Sequence, residues 1–336
     1  MKITSRCTAA AVLFAGFALA STAEAGPVSV DTFGSGANTF TVDFVNIGDT
    51  GNAADTTGYG DVAYQYRMGT YEISQDVIDM ATASGMANVT AGVYTGNQPA
   101  ADISWYEAAA FVNWLNTSTG KQQAYDLTFS NGSWSMSLWR SLQAWQLGGE
   151  NLYRNRDAHY FLPNENEWYK AAYYSPEHGG AGSPGFYLYP TASSMVPTIV
   201  ASGTDAGTAV YSQSSEVGPA GVDLAGGLSP YGTMGQGGNL YEWLETAYDG
   251  DNSDGSESRT IRGGCFNHND YVMSTLYRTN FASSGVTSSD MQGVGWLVGF
   301  RVASVPLLSI PEPSTYALLL LGAGAVYAWK RRRRSP

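Results

Sequence analysis

Gly237-Gly238-Asn239-Leu240-Tyr241-Glu242-Trp243, then an acidic loop over Asp249–Glu257, then Arg262-Gly263-Gly264-Cys265-Phe266, is the run of sequence that decides the fold. Paired glycines let a backbone turn tightly. Here they stand beside amide, carboxylate, guanidinium and aromatic side chains, which predicts polar turns packed on aromatic clusters and not long regular elements. The whole chain shares this character, with 40 glycines in 336 residues against a typical ~7%. Toward the C-terminus a serine-rich stretch, Ser283–Ser289, leads to a similar turn, Gly299-Phe300-Arg301-Val302-Ala303. Toward the N-terminus, residues Pro184–Thr233 are dense in Gly, Ser, Thr and Ala, with short strands such as Thr208–Tyr211.

Further upstream the periodicity is clearer. Tyr64–Ile73 alternates enough to predict a strand. Ser74 is placed to cap a helix with Val77, Ile78 and Ala81 on one face and Gly85 at its end. Ser104-Trp105-Tyr106-Glu107 has the form of a capping box, and Trp105, Ala108, Phe111, Val112 and Leu115 then fall on one helical face. Asn164, with Glu167 three residues on, starts a third helix that turns Trp168 and Ala171 inward. No linker, internal repeat or long charge block interrupts the span, so one domain is expected.

Taken in order, six segments resemble the formylglycine-generating enzyme family, also called the sulfatase-modifying factor family. They are Met68-Gly69-x-Tyr71-Glu72-Ile73-Ser74, Ile103-Ser104-Trp105-x-x-Ala108 and Leu162-Pro163-x-x-x-Glu167-Trp168, followed by Gly238-Asn239-x-x-Glu242-Trp243, Arg262-Gly263-Gly264 and Gly299-Phe300-Arg301. The match runs from about Tyr64 to Ala303. It implies a single α+β domain with that family's C-type lectin-like fold and much irregular structure.

The resemblance also says what is missing. In that family two cysteines activate oxygen with copper, three and eight residues after the serine of an Arg-Gly-Gly-Ser motif. Cys265 holds the serine's place here, so the two positions are His268 and Met273. Without paired thiolates there is no bis-thiolate copper(I) site, and formylglycine generation is not expected. Cys265, His268 and Met273 still offer a thiolate, an imidazole and a thioether, the donors of an alternative copper-dependent oxidoreductase. The plainer reading has Cys265 packed beneath the glycine turn, Met273 in the core and His268 in water.

Calcium is the other cofactor the resemblance implies, at the Gly-Asn-x-x-Glu-Trp turn. Asn239 and Glu242, with carbonyls near Gly238 and Leu240, supply hard oxygens, unless Glu242 is instead satisfied by hydrogen bonds. Asp249–Gly255 is only superficially like a calcium-binding loop, because its glycine is one place late and no glutamate stands at the twelfth position; it reads as an exposed turn. Arg262 and Arg278 match positions near the family's substrate cleft, and Asp270 and Tyr271 lie beside the lost cysteine positions, so these line the expected ligand pocket. Each arginine would equally serve as half of a buried ion pair.

The ends carry their own signals. Residues 1–25 read as a secretory signal peptide: Lys2 and Arg6, an apolar run Ala9–Ala20, and the small-x-small site Ala23-Glu24-Ala25. Residues 26–309 form the domain. Residues 310–336 combine Pro311-Glu312-Pro313, an uncharged stretch Tyr316–Trp329, and Lys330 with Arg331–Arg334. A helix of fourteen residues covers only ~21 Å at ~1.5 Å per residue, short of the ~30 Å hydrocarbon core. It would span a membrane only with flanking residues recruited, its basic end held on the cytoplasmic side. The order of parts resembles the PEP-CTERM sorting signal of Gram-negative bacteria. That implies recognition by an exosortase, membrane contact through the helix before processing, and delivery to the cell surface or extracellular matrix. With both ends removed, ten basic and 27 acidic residues remain. This balance disfavours nucleic acid and suits calcium or cationic partners, although an acidic solvated surface also produces it. Cys7 leaves with the signal peptide, so Cys265 is alone, as a buried small hydrophobe, a reactive thiol or an intermolecular link. The expected protein is an exported module that binds a surface polysaccharide or a peptide.

Overall fold

A computed structural model describes residues 28–284 and 297–306. The signal peptide, the sorting tail with its apolar helix, and most of the loop after Phe281 lie outside the described residues. Two sheets organise the described part. Their strands, in chain order, are β1 (Ser29–Phe33), β2 (Phe40–Ile47), β3 (Tyr66–Gly69), β4 (Tyr160–Phe161), β5 (Tyr241–Ala247), β6 (Arg259–Arg262), β7 (Thr279–Phe281), β8 (Val298–Gly299) and β9 (Ala303–Ser304). The first sheet has the order β1-β2-β3-β9-β4 and the second β7-β6-β5-β8. The last strand of the described chain is thus inserted beside one of the first, with Ala303 opposite both Met68 and Phe161. Phe300 and Val302, at the crossing between the sheets, are wholly buried.

The three helices form where the sequence places them. α1 (Gln75–Ala83) is capped by Ser74, whose side chain accepts from the Val77 amide; Ile78 and Ala81 are buried and Val77 is half-buried. α2 (Trp105–Ser118) starts in a complete Ser104/Glu107 capping box and buries Trp105, Ala108, Phe111, Val112 and Leu115. Each large apolar side chain so buried contributes roughly 1.5–3 kcal/mol. α3 (Glu165–Tyr173) has the reciprocal Asn164/Glu167 box and buries Trp168 and Ala171. Two indoles tie α2 to the second sheet in opposite directions. The Trp105 N–H donates to the Leu244 carbonyl at 2.9 Å and the Trp243 N–H to the Ile103 carbonyl at 2.8 Å.

One expectation needs correction. The predicted strand over Tyr64–Ile73 is limited to Tyr66–Gly69, all four of whose residues are buried. Its last amide, Gly69 N–H, donates to Val302 O beside β9, and beyond it the amides go to other partners: Thr70 N–H to Asp43 O and Ile73 N–H to Phe300 O. Burial, not alternation, continues after the pairing has ended, with only Tyr71 half-buried up to Ile73, because tertiary contacts take over the backbone donors. The short strand expected at Thr208–Tyr211 is present as Thr208–Ala209, paired in parallel with Thr198–Ile199. Of the turn expected to be exposed over Asp249–Gly255, residues 249–254 are exposed apart from half-buried Asn252, but Gly255 is buried against the Met136 carbonyl. Among the described residues no helix is long and apolar enough to cross a membrane.

Candidate functional site

The glycine turns bring three clusters of polar side chains within the domain. The first is the Gly238–Trp243 turn. A Cβ on Gly238 would stand 2.1 Å from the Val210 carbonyl oxygen, and its φ of +81° is in the left-handed region, so only glycine fits. Asn239 follows, also left-handed at φ 55° and fully buried. Its Oδ1 accepts from the Ala220 amide at 2.9 Å and its Nδ2 donates to Glu72. Glu242 accepts from both sides of Arg301, at 2.6 Å through Nε and 2.6 Å through Nη2, and from the Trp168 indole at 2.8 Å. The remaining Arg301 hydrogen bonds hold the carbonyls of Gly69, Thr70 and Met234. Every side-chain oxygen proposed for calcium is therefore engaged, and the cation facing Glu242 is a guanidinium. These residues do not fit a calcium ion, which needs such oxygens free to converge. Glu72, buried nearby, is pushed up to about 8 by desolvation and by the charge of Glu242, against the hydrogen bond from Asn239.

The second cluster is Cys265, His268 and Met273. A Cβ on Gly264 would meet the Val272 side chain at 2.5 Å; its absence lets the chain fold back at φ +73°. The structure places the three donors in different settings. Cys265 is buried in the main core, with its thiol 3.1 Å from Asn267 Oδ1. Burial pushes that thiol up to about 12, so it carries its proton at neutral pH. Met273 packs in a separate small cluster with Tyr189, Ala209 and Tyr211. His268 is half-buried, its Nδ1 3.0 Å from the Tyr241 hydroxyl, and desolvation lowers its pKa. A protonated thiol and a methionine in another cluster do not fit a copper centre. Among the described residues no group of three or more His, Cys, Asp or Glu is arranged to hold a metal ion.

The third cluster joins α3 to β6. Arg262 and Arg278 converge on one carboxylate, Glu165: Arg262 Nε lies 2.7 Å from Oε1, while Arg278 Nε and Nη2 reach Oε1 and Oε2 at 3.0 and 2.8 Å. The Tyr59 ring lies against both guanidiniums, with centroid distances of 5.0 and 5.4 Å. Alongside, Arg154 is sandwiched between Glu167 and Glu245, both fully buried, at 2.9 and 2.8 Å. The same Glu167 that closes the helix cap thus also neutralises a buried arginine, and it accepts from the Tyr64 hydroxyl at 2.6 Å. Sequence reasoning missed Glu165, Arg154, Glu245 and Tyr59. For Glu165 the available signal was its place inside the Leu162–Trp168 segment; the others carry no local pattern.

The expected pocket residues separate accordingly. Arg262 and Arg278 support the Glu165 carboxylate, which lines a cleft of about 390 Å³ together with Tyr59, Tyr64, Trp145, Asn166 and Asn252. Asp270 is elsewhere, accepting from the Tyr189 hydroxyl at 3.0 Å. Tyr271 is 53% exposed and meets Tyr277 edge-on. Arg262 joins the two places, donating to the Tyr277 carbonyl at 2.8 Å and to the Thr275 carbonyl at 3.5 Å.

Comparison with known proteins follows the same lines. Residues 36–305 match the model of the sulfatase-modifying factor enzyme 1-like domain, and residues 309–334 match the PEP-CTERM protein-sorting motif. No curated protein matches the chain. Among solved structures, Treponema denticola variable protein 1 is similar with a TM-score of 0.53 and 20% identity, covering 82% of this chain and 99% of that one. CarF gives a TM-score of 0.46 at 18% identity over 79% and 99% of the two chains. PvdO from Pseudomonas aeruginosa gives 0.47 at 16% identity over 82% and 98%. The first of these bears on fold alone, and it supports the α+β arrangement described above.

Proposed function

The chain belongs to the sulfatase-modifying factor family, and from that premise we propose that it is a non-catalytic, ligand-binding module displayed outside the cell. Its PEP-CTERM motif marks it as an exported protein recognised by exosortase and sent to the surface of a Gram-negative bacterium. On this reading residues 1–25 are removed on export and 26–309 form the displayed domain.

One observation carries the reading. The positions that hold the oxidase thiols in the family are occupied by His268 and Met273, and the remaining thiol, Cys265, is buried and held in its protonated form. Formylglycine generation oxidises a substrate cysteine with oxygen, and this chain offers no thiolate pair to bind the metal that would activate it. What is retained is a scaffold of turns braced by buried ion pairs, which suits the rigid presentation of a binding surface.

The test is direct. Purified full-length protein, supplied with copper and oxygen, is incubated with a cysteine-containing sulfatase peptide, and the peptide is examined by mass spectrometry. The expected result is unchanged peptide; conversion of the cysteine to an aldehyde overturns the reading.

A further inference from the structure

The cleft above Glu165 has walls of defined chemistry. Its volume of about 390 Å³ is within the ~300–1,000 Å³ typical of small-molecule sites. Its two carboxylates at the base are neutralised from behind: Glu165 by Arg262 and Arg278, and Glu245 by Arg154. Among the described residues no lysine or arginine lines it, and Asp61 and Glu150 stand exposed at its edge. An anionic ligand therefore meets the edge carboxylates of Asp61 and Glu150, which have no salt-bridge partner among the described residues.

The polar groups that remain are oriented. Asn166 Oδ1 accepts from the Gly60 amide at 3.0 Å, and Asn252 Oδ1 accepts from the Ala247 amide at 3.2 Å. Each main-chain donor fixes the flip of its amide and leaves Nδ2 as the donor for a ligand. No hydrogen bond among the described residues uses either Nδ2 or the Asp61 carboxylate. Aromatic surface comes from half-buried Tyr59 and Tyr64, because Trp145 is only 5% exposed and serves to hold them. The Trp145 indole donates to the Leu147 carbonyl at 2.9 Å, with Tyr64 edge-on to it at 5.7 Å, and the Tyr59 ring is backed by two guanidiniums.

We propose that this cleft binds a neutral saccharide, with Asn166 and Asn252 donating to its hydroxyls, Asp61 accepting from them, and the aromatic residues taking its C–H face. Hydroxyl groups both donate and accept, so they use fixed amide donors and carboxylate acceptors together. A sugar ring also has an apolar face that suits a rigid aromatic wall. A cationic ligand gains less here. The buried carboxylates are already paired, and the unpaired ones are exposed to solvent, where water and salt screen a salt bridge and leave it little net worth. The proposal rests on the reading of the domain as a ligand-binding module and assigns that module its site and ligand class.

The experiment titrates purified full-length protein with neutral oligosaccharides derived from glucan, mannan and galactan, with hyaluronan, and with a Lys/Arg-rich peptide. Calorimetry and tryptophan fluorescence report binding. The expected result is saturable binding of at least one neutral oligosaccharide and of neither charged probe. Asn166→Asp and Asn252→Asp keep the oxygen that anchors each amide to the backbone and remove the outward donor. Each is expected to weaken binding about tenfold, the worth of one good hydrogen bond. Asp61→Ala, at an exposed position whose carboxylate makes no hydrogen bond among the described residues, gives a third variant, with a similar expected loss. Binding of hyaluronan or the basic peptide in place of the neutral probes, no binding of any oligosaccharide, or wild-type affinity in all three variants each overturns the proposal. If saccharide binding persists in those variants but is lost in Asp270→Ala, the module reading stands and the cleft assignment falls. Formylglycine production would remove the module reading itself, whichever probe binds.

Discussion

Two neighbouring stretches of this domain treat their reactive side chains in opposite ways. Around α3, Glu165, Glu167 and Glu245 are buried with Arg154, Arg262 and Arg278 against them, so the charges persist because each finds its partner. Along Cys265–Met273 the reactive groups are kept neutral: a protonated thiol, a core methionine and a histidine whose charged form burial disfavours. In the family's oxidases the second stretch would carry the chemistry. Here the buried charge lies in the first, beneath an open cleft, and that contrast is why the proposed recognition site is set away from the lost thiol positions.

The comparison can be broken most forcefully at Arg154. Arg154→Met leaves Glu167 and Glu245 buried without a cation, and loss of one partner from a buried pair costs about 3–5 kcal/mol. Urea unfolding should show that loss; a variant as stable as wild type would mean these charges are not buried as described. Trp168→Phe removes the indole N–H that donates to Glu242 while Arg301 stays in place. The expected cost is about 1.5–3 kcal/mol, that of a hydrogen bond to a charged group, in the same measurement.

A third test uses pH. Glu72 is held above its ordinary value, so the folded protein keeps a proton that the unfolded chain has released. Its contribution to stability is full below the ordinary carboxylate range and is lost as pH rises toward about 8. The slope from one such group is at most ~1.4 kcal/mol per pH unit. Unfolding midpoints measured across this interval should fall in wild type and fall less in Glu72→Gln.

The smallest effect is expected on the neutral side. His268→Ala removes a half-buried ring with one hydrogen bond to Tyr241, and a change within about 1 kcal/mol is expected. Cys265 should react with a thiol reagent only after denaturant is added; fast labelling of the native protein would reveal an accessible thiolate and sharpen the case for chemistry at that stretch.

How much of this was legible beforehand differs between fold and site. The capping boxes at Ser104 and Asn164, and the inward faces of α2 and α3, rest on contacts within a few residues, so the sequence displays them. The motif turns at Gly238 and Gly264 were legible too, since only glycine accepts those conformations and approaches. Arg262 and Arg278 were visible as candidates, but not that both would address one carboxylate on helix α3. Nor could spacing place Asp270 apart from them, or bring Trp145 and Asn252 to one cleft.

By itself, then, the sequence determined the family, the sorting signal, the helix starts and the absence of a thiol pair, because each depends on residue identity at short range. Only the tertiary structure decided which carboxylate each arginine neutralises, that Glu242 faces a guanidinium, and where an open polar cleft remains. The physical reason is that a buried charge is stable only beside its partner. Those partners, Glu165 with Arg262 or Glu242 with Arg301, lie far apart in sequence and meet only when the sheets and helices have packed.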